Sequence, residues 1–289
     1  MNANPDVFDR RLVALRRERA AGRVAEVAPI LRAAAEVLLD RLEDTTRRFS
    51  MALDVGGRGV VAPMLRERGI ATVVSMDLAG GMARLGGGLA VVGDEEWLPF
   101  GVDCFDLIVA NLSLHWVNDL PGALIQLRRA LRPDGLFLAS LPGLGTLQGL
   151  REALGAAETE LRGGVSPRVS PFPELRDLAG LLQRAGFALP VADGDRLPLR
   201  YASAMGLVRD LRAAGETNAI RARDGRVPPR GLFPLAFARL GLEMELPLLV
   251  MTGWAPHESQ QRPARPGSAN ARLADALGVP EIPAGEKPG

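Results

Sequence analysis

Lysine, cysteine and aromatic side chains are scarce in this chain of 289 residues, and each shortage excludes a class of chemistry. The single lysine, Lys287, lies near the end of the chain, so a Schiff base or a phosphate-binding lysine is not expected in the folded part. The single cysteine, Cys104, excludes a disulfide framework and a cysteine-rich zinc site. With 9 Phe, 3 Trp and 1 Tyr, the chain also offers little surface for stacking on single-stranded nucleic acid.

Net charge is low as well. The 35 basic and 34 acidic residues leave a formal charge of +1, so attraction to a polyanion such as nucleic acid is not expected. No apolar run approaches the roughly 18 residues of a membrane span. Asp6, Asp9 and Glu18 near the start are not typical of a secretory signal or a transit peptide. We therefore expect a protein of a reducing compartment, the bacterial cytoplasm, either free or peripheral to the inner membrane.

Short apolar runs alternate with helical patterns along most of the chain. Such runs, apolar throughout, are typical of a parallel sheet that is covered by helices on both faces. The sequence therefore predicts an α/β fold with a doubly wound, mainly parallel sheet of seven strands. The predicted strands fall at 51–56, 71–77, 89–94, 105–112, 135–142, 188–201 and 246–254.

The helical patterns divide the chain into three predicted parts: an N-terminal helical cap over 1–48, a main domain over 49–259 with a helical insertion at about 144–243, and a disordered tail over 260–289. In the cap, the spacing of apolar residues predicts two packing faces, Phe8–Leu12–Leu15 and a stripe from Leu31 to Leu42.

Three polar motifs follow successive predicted strands. Asp54 begins a glycine-rich turn that ends at Gly59, Asp77 closes the second strand, and Asp94 and Glu95 follow the third beside Trp97. Open α/β sheets bind ligands at the carboxyl ends of their strands, and a carboxylate there can accept hydrogen bonds from ribose hydroxyls. Each motif alone is also compatible with an ordinary turn or helix cap. Together they predict a nucleoside-bearing cofactor, with Trp97 as a flat surface for the adenine.

The order of these motifs resembles that of the class I S-adenosylmethionine-dependent methyltransferases, near the branch of the biotin-pathway carrier-protein methyltransferase. Four segments resemble more specifically the complex I assembly factor family, which combines a methyltransferase fold with hydroxylation of an arginine in a complex I subunit. They are NLSLHWVNDLP (111–121), AAETELRGGVSPRVSPF (156–172), GETN (215–218) and GWAPHESQQRPARPGSA (253–269). The family's usual G-x-G-x-G motif is one residue shorter here, because Gly56 is followed directly by Gly57, Arg58 and Gly59.

The resemblance implies a Rossmann-like methyltransferase fold that binds S-adenosyl-L-methionine. It places the cofactor against Asp54, Gly56, Gly57, Gly59, Asp77, Leu78, Asp94, Glu95 and Asn111. It also places Ser113, His115 and Trp116 near the substrate as candidate catalytic residues, with His115 as a possible proton acceptor. The alternative for the last two is a packed wall without catalytic duty.

A metal site is not predicted, because the chain has only two histidines, His115 and His257, and no H-x-D/E pair. A polar group over 158–170 (Glu158, Glu160, Arg162, Ser166, Arg168 and Ser170) is either a lid that grips a substrate arginine or a solvated helix end.

The function implied by the resemblance is that of an S-adenosylmethionine-dependent methyltransferase acting on a protein substrate in the assembly of respiratory complex I. In a eukaryote this activity would belong in the mitochondrial matrix. Alternatives are an arginine hydroxylase of a complex I subunit, a non-catalytic assembly chaperone, which the shortened glycine turn favours, and a small-molecule carboxyl methyltransferase. The sequence predicts neither an oligomeric state nor a nucleic-acid partner.

Overall fold

The fold was examined in a computed structural model, which describes residues 6–261, 275 and 277–279. The chain divides into two compact units, residues 1–256 and residues 257–289. The first contains all the helices and strands considered below. Most of the predicted tail at 260–289 lies outside the described residues.

Helices and strands alternate through the first unit. Within its described residues the helices are α1 (Arg10–Ala20), α2 (Ala28–Leu39), α3 (Val61–Glu67), α4 (Gly80–Leu85), α5 (Leu120–Ala130), α6 (Gln148–Arg162), α7 (Leu175–Arg184), α8 (Ala204–Ala213) and α9 (Leu232–Arg239). The strands are β1 (Met51–Val55), β2 (Thr72–Asp77), β3 (Leu89–Val92), β4 (Phe105–Asn111), β5 (Leu131–Pro142), β6 (Ala188–Arg200) and β7 (Glu243–Trp254).

The seven strands form one sheet in the order β3-β2-β1-β4-β5-β7-β6. Strands β1 to β5 run parallel, and β7 is antiparallel to both of its neighbours, β5 and β6. The predicted doubly wound, mainly parallel sheet is therefore confirmed. The order reverses between β1 and β4, which is where sheets of this kind form a crevice for a ligand.

The central strands, among them β1, β2 and β4, are buried on both faces of the sheet, and alternate residues of each strand point to opposite sides. Ala52, Leu107 and Leu138 pack with α2 and α3 on one face. Their neighbours in the strands, such as Leu53 and Ile108, pack with α5 and α7 on the other. This two-sided burial explains why the strands read as continuous apolar runs in the sequence.

The two N-terminal helices differ in how well their spacing predicted the packing. In α2 the predicted stripe is buried, with Leu38 and Leu39 fully enclosed. In α1 the predicted face is wrong at Leu15, which is 45% exposed. The buried face of α1 instead carries Val13, Arg17 and Ala20. The helix is rotated toward carboxylates on the sheet, which hold Arg17.

Helices α6, α8 and α9 form a smaller apolar cluster of their own beside the sheet. In the predicted insertion range 144–243 they accompany α7 and the edge strand β6. The sequence did not predict α4, which has six residues and begins with two glycines, or α9, which contains a proline. Among the described residues, no helix is long and apolar enough to cross a membrane.

The loop after α6 is fastened by a buried carboxylate. Glu158 accepts hydrogen bonds from the backbone and hydroxyl of Ser166, both at 2.9 Å, and pairs with Arg168 at 2.7 Å and Arg162 at 3.2 Å. The hydrogen bond from Arg168 does most to lower the pKa of Glu158, to about 2. Glu160 pairs separately with Arg239. The structure thus uses these acids to fix the loop, and neither carboxylate is left free to grip a substrate.

We expect Glu158→Gln to release the loop over 163–170, because a neutral amide cannot hold two guanidinium groups. Hydrogen exchange of the Ser166 and Arg168 amides should become faster, with a loss of about 1–3 kcal/mol in the free energy of unfolding. Glu152→Gln, on the exposed side of the same helix, is the matched control. Unchanged exchange at Ser166 would contradict the role given to Glu158.

Candidate functional site

The turn after β1 is unusually tight. Gly56 and Gly59 adopt left-handed backbone conformations with φ of 66° and 79°, which favour glycine. A Cβ atom at Gly57 would overlap the carboxylate of Asp54, so the turn lies directly on that side chain. Arg58 has a φ of 49° and is one of the few non-glycine residues in this region of the backbone map. The turn therefore projects the Arg58 side chain toward the end of β4.

Asp54 is fully buried under this turn. Burial is the main cause that raises the pKa of Asp54 to about 7, because desolvation disfavours the carboxylate. Ser75 Oγ lies 3.4 Å from Asp54 Oδ2, while Oδ1 has no hydrogen-bond partner among the residues that the structure describes. This acid is held in an environment that favours its neutral form.

The carboxylates that follow β2 and β3 are bound by arginines of α1. Arg17 Nη1 lies 2.7 Å from Asp77 Oδ2, and both side chains are only 1% exposed. Arg10 Nη2 lies 2.6 Å from Asp94 Oδ1 and also pairs with Glu95. Arg10 and Arg17 lie two helical turns apart on the same side of α1. One helix therefore neutralises the acids at two adjacent strand ends.

A cavity of about 370 Å³ lies at the carboxyl ends of β4 and β5. Most of its wall is apolar and comes from α2, α6, α8 and the last two strands, with Leu31, Leu150 and Leu211 as examples. Polar groups converge at one end, where His115 and Glu216 line it. A mainly apolar pocket with a few converging polar groups is typical of a ligand site.

Glu216 is the centre of that polar end. Its Oε2 lies 2.8 Å from His115 Nε2 and accepts a hydrogen bond of 2.5 Å from Trp116 Nε1, and its Oε1 lies 2.7 Å from Arg58 Nη1. Burial favours a raised pKa, but His115, Arg58 and Arg17 together hold the pKa of Glu216 well below its ordinary value. Glu216 is therefore an anion that orients two ring side chains and one guanidinium.

Arg58 completes a built guanidinium site. Besides its ion pair with Glu216, it donates to the backbone carbonyls of Asn111 and Leu112 at the end of β4. Burial is the main cause that lowers the pKa of Arg58. His115 Nδ1, by contrast, is buried without a hydrogen-bond partner in the described part of the chain.

Arg17 also lies between the polar end of the cavity and the strand-end acid Asp77. A Cβ atom at Gly215 would lie 3.2 Å from Arg17 Cα, and one at Gly56 would lie 3.1 Å from Arg17 Nη1. The absence of side chains at Gly56 and Gly215 is what lets the α1 arginine lie between the glycine turn and the Glu216 segment.

The predicted catalytic residues are placed differently from one another. His115 and Trp116 line the cavity, whereas Ser113 is buried and its hydroxyl donates to the carbonyl of Val55. Asn111 bridges the carbonyl of Leu31 and the hydroxyl of Ser140. The placement of Ser113 gives it a structural contact and no face on the cavity.

The predicted cofactor residues are close to one another in the fold but do not line the cavity. Among the described residues, the cavity wall includes none of Asp54, Gly56, Gly57, Gly59, Asp77, Leu78, Asp94, Glu95 and Asn111. Leu78 packs in a small cluster with Phe8 and Trp116. Trp97 is 80% exposed, and its placement against an adenine ring stays a prediction.

Sequence reasoning missed the most connected residues of the site. Glu216 entered only as part of the GETN segment, and Arg10 and Arg17 were given no role. One signal could have found the arginines: their spacing of seven places both on the face that carries Val13.

The strand-end acids have the chemistry to accept hydrogen bonds from a nucleoside cofactor, and at present they are bound to α1 arginines and to backbone N–H groups. Asp77 already accepts the backbone N–H of Ala79 at 2.8 Å with Oδ1 and Arg17 with Oδ2. The space against Gly56 is occupied by the Arg17 guanidinium. Among the described residues, no group of three or more His, Cys, Asp or Glu is placed to hold a metal ion.

Comparisons with known proteins define the class of the fold. Residues 53–139 match a methyltransferase domain family. A crystal structure of a methyltransferase-family protein from Bacillus halodurans C-125 superposes with a TM-score of 0.51 at 16% identity, covering 77% of this chain and 100% of that one. This protein has the methyltransferase fold.

Closer relatives define the family. The chain is 38% identical over 252 residues to the human mitochondrial arginine hydroxylase NDUFAF5, covering 82% of this chain and 73% of that protein. It is 33% identical over 255 residues to the malonyl-[acyl-carrier protein] O-methyltransferase of Methylovorus sp., with coverage of 83% and 84%. The chain belongs to the methyltransferase-like family that includes the arginine hydroxylase NDUFAF5, as the resemblance predicted.

We expect the stability of the protein to fall as the pH rises from about 4 to about 7, because of Asp54. The folded state keeps the Asp54 proton up to a pKa of about 7, while the unfolded chain releases it near 3.8. The resulting loss in the free energy of unfolding is at most about 4 kcal/mol.

Asp54→Asn should remove this pH-dependent loss, so the variant should gain more in melting temperature at pH 8 than at pH 4. Glu67→Gln, at an exposed position in α3, serves as the control. Equal effects of Asp54→Asn at both pH values would show that Asp54 is ionised in the folded protein throughout.

Proposed function

We propose that this protein is an S-adenosylmethionine-dependent enzyme that modifies a side chain of a protein substrate during the assembly of respiratory complex I. The observation that carries the proposal is the polar end of the cavity, where Glu216 orients His115 and Trp116 at the carboxyl edge of the sheet. The family membership supports an enzyme, since relatives are named as a hydroxylase and a methyltransferase.

The residues proposed to hold the cofactor are the strand-end acids. Asp77 would accept hydrogen bonds from the ribose, and Asp94 and Glu95 would accept from the adenine amino group. When bound, S-adenosylmethionine supplies an activated methyl group. Each of these acids already binds a cationic group of α1, so each is an anion or a strong acceptor in the folded protein.

The cavity residues position a substrate and exclude water. Leu31, Leu150 and Leu211 provide apolar walls around the reacting end. Since His115 faces Glu216 with Nε2, a proton on that nitrogen satisfies the carboxylate and leaves Nδ1 as the acceptor. The orphaned His115 Nδ1 is therefore the atom that we propose to receive a proton from the substrate.

A second candidate, hydroxylation of an arginine, is favoured by one observation. Glu216 and the carbonyls of Asn111 and Leu112 already bind a guanidinium group, that of Arg58. The same three acceptors would suit the guanidinium of a substrate arginine if Arg58 withdrew. The family relationship to proteins named arginine hydroxylase points to the same substrate chemistry.

The cofactor proposal predicts that the full-length protein binds S-adenosylmethionine and S-adenosylhomocysteine. Isothermal titration calorimetry should show saturable binding with a dissociation constant below about 1 mM and a stoichiometry of one. Adenosine, which lacks the methionine part, should bind more weakly. An absence of heat and of thermal stabilisation with either ligand at millimolar concentration would refute the cofactor.

The enzyme proposal predicts a mass change in complex I. Peptides from complex I or its subcomplexes should be lighter when cells carry His115→Ala in place of the wild-type protein. A difference of about 14 Da indicates a methyl group and one of about 16 Da an oxygen atom. His257→Ala, which changes the only other histidine, is the matched control.

Peptide masses and complex I assembly, measured together, separate an enzyme from a non-catalytic assembly factor. If every peptide keeps its mass while assembly fails, the enzyme proposal is wrong and the protein acts as a non-catalytic assembly factor. If assembly and all masses are unchanged in the His115→Ala cells, His115 has no role in either activity.

A further inference from the structure

The strand-end acids and the arginines of α1 form a closed ionic group. Asp77 is paired with Arg17 at 2.7 Å, and Arg10 pairs with Asp94 at 2.6 Å and with Glu95. Arg10 is 13% exposed and Arg17 is 1% exposed, so the guanidinium groups are held away from water. These contacts occupy the acceptors that a nucleoside would need.

The Arg17 guanidinium lies where a nucleoside would have to approach Asp77. Each Asp77 oxygen already accepts one hydrogen bond, from Ala79 N–H or from Arg17, so a ribose hydroxyl would compete with Arg17 for Oδ2. The Arg17 guanidinium also lies against the turn at Gly56, where the backbone is open to a close approach. A ligand that reaches Asp77 over this turn must displace Arg17.

Arg17 is also incompletely satisfied where it lies. Its Nε and Nη2 atoms are buried without a hydrogen-bond partner among the described residues, and Arg10 Nε is in the same condition. An unsatisfied buried donor costs about 1–3 kcal/mol, more for a charged group. The ion pair with Asp77 therefore leaves part of the hydrogen-bonding capacity of Arg17 unused.

We propose that Arg17 and Arg10 act as an internal competitor for the nucleoside site, so that these two residues set the affinity for the cofactor and α1 loosens when the cofactor binds. This inference rests on the proposed function, because it assumes that the strand-end acids bind S-adenosylmethionine. It assigns to α1 a role that differs from that of an ordinary packing helix.

The competition can be measured with S-adenosylhomocysteine and full-length variants. Arg17→Met removes the charge but keeps an apolar side chain of similar length. We expect its dissociation constant for S-adenosylhomocysteine to be at least about tenfold lower than that of the wild type. Arg11→Met, on the exposed face of α1, is the matched control and should bind as the wild type does.

Hydrogen exchange of the wild-type protein provides a second readout that needs no variant. On addition of S-adenosylhomocysteine, the backbone amides of residues 13–20 should exchange faster, because Arg10 and Arg17 of α1 lose their ion pairs to the strand-end acids. This measurement also decides the matter if Arg17→Met does not fold.

The outcomes distinguish this proposal from the proposed function. Equal or weaker binding by Arg17→Met, or slower exchange in α1 on ligand binding, overturns the competition while leaving the proposed cofactor intact. Of these results, weaker binding would make Arg17 a ligand of the bound nucleoside. An absence of binding by both the wild type and Arg17→Met overturns the competition and the proposed cofactor together.

Discussion

The ion pair between Arg17 and Asp77 determines how the N-terminal part of the protein lies on the sheet. With both side chains 1% exposed, each charge has given up nearly all of its hydration. Two such charges are tolerated only while they remain in contact, because removal of one partner leaves the other buried and uncompensated. The rotation of α1, the burial of Val13 and the close packing at Gly215 all accommodate this one contact.

Carboxylates and guanidinium groups surround this pair. Burial acts to lower the pKa of Arg17, but the carboxylates of Asp77, Glu216 and Glu95 raise it above its ordinary value. Arg10 binds Asp94 and Glu95, and Arg58 binds Glu216. Guanidinium groups suit this environment because they are planar, weakly hydrated and always charged. In this place the excess of arginine over lysine has a physical use.

The sheet was predictable because its central strands are buried on both faces and their sequences are therefore unbroken apolar runs. The glycine turn and the acids at Asp77 and Asp94 were predictable for a related reason, since the ends of parallel strands meet at one edge. The cationic face of α1 was not predicted, because hydrophobic periodicity favours Leu15 and gives no weight to a buried Arg17. Glu216 was missed because it lies in a polar segment whose partners are about 100 residues away.

The close approach of Gly215 to Arg17 joins two regions that would otherwise act independently. Residue 215 precedes Glu216 in the chain, so the backbone that carries the cavity's carboxylate rests on the helix that carries the nucleoside site's cation. Thermodynamic linkage makes such a connection reciprocal: a ligand in the cavity and a ligand at the nucleoside site each change the affinity for the other by the same factor. The order in which the two ligands arrive would then change the route and leave the final balance of free energy untouched.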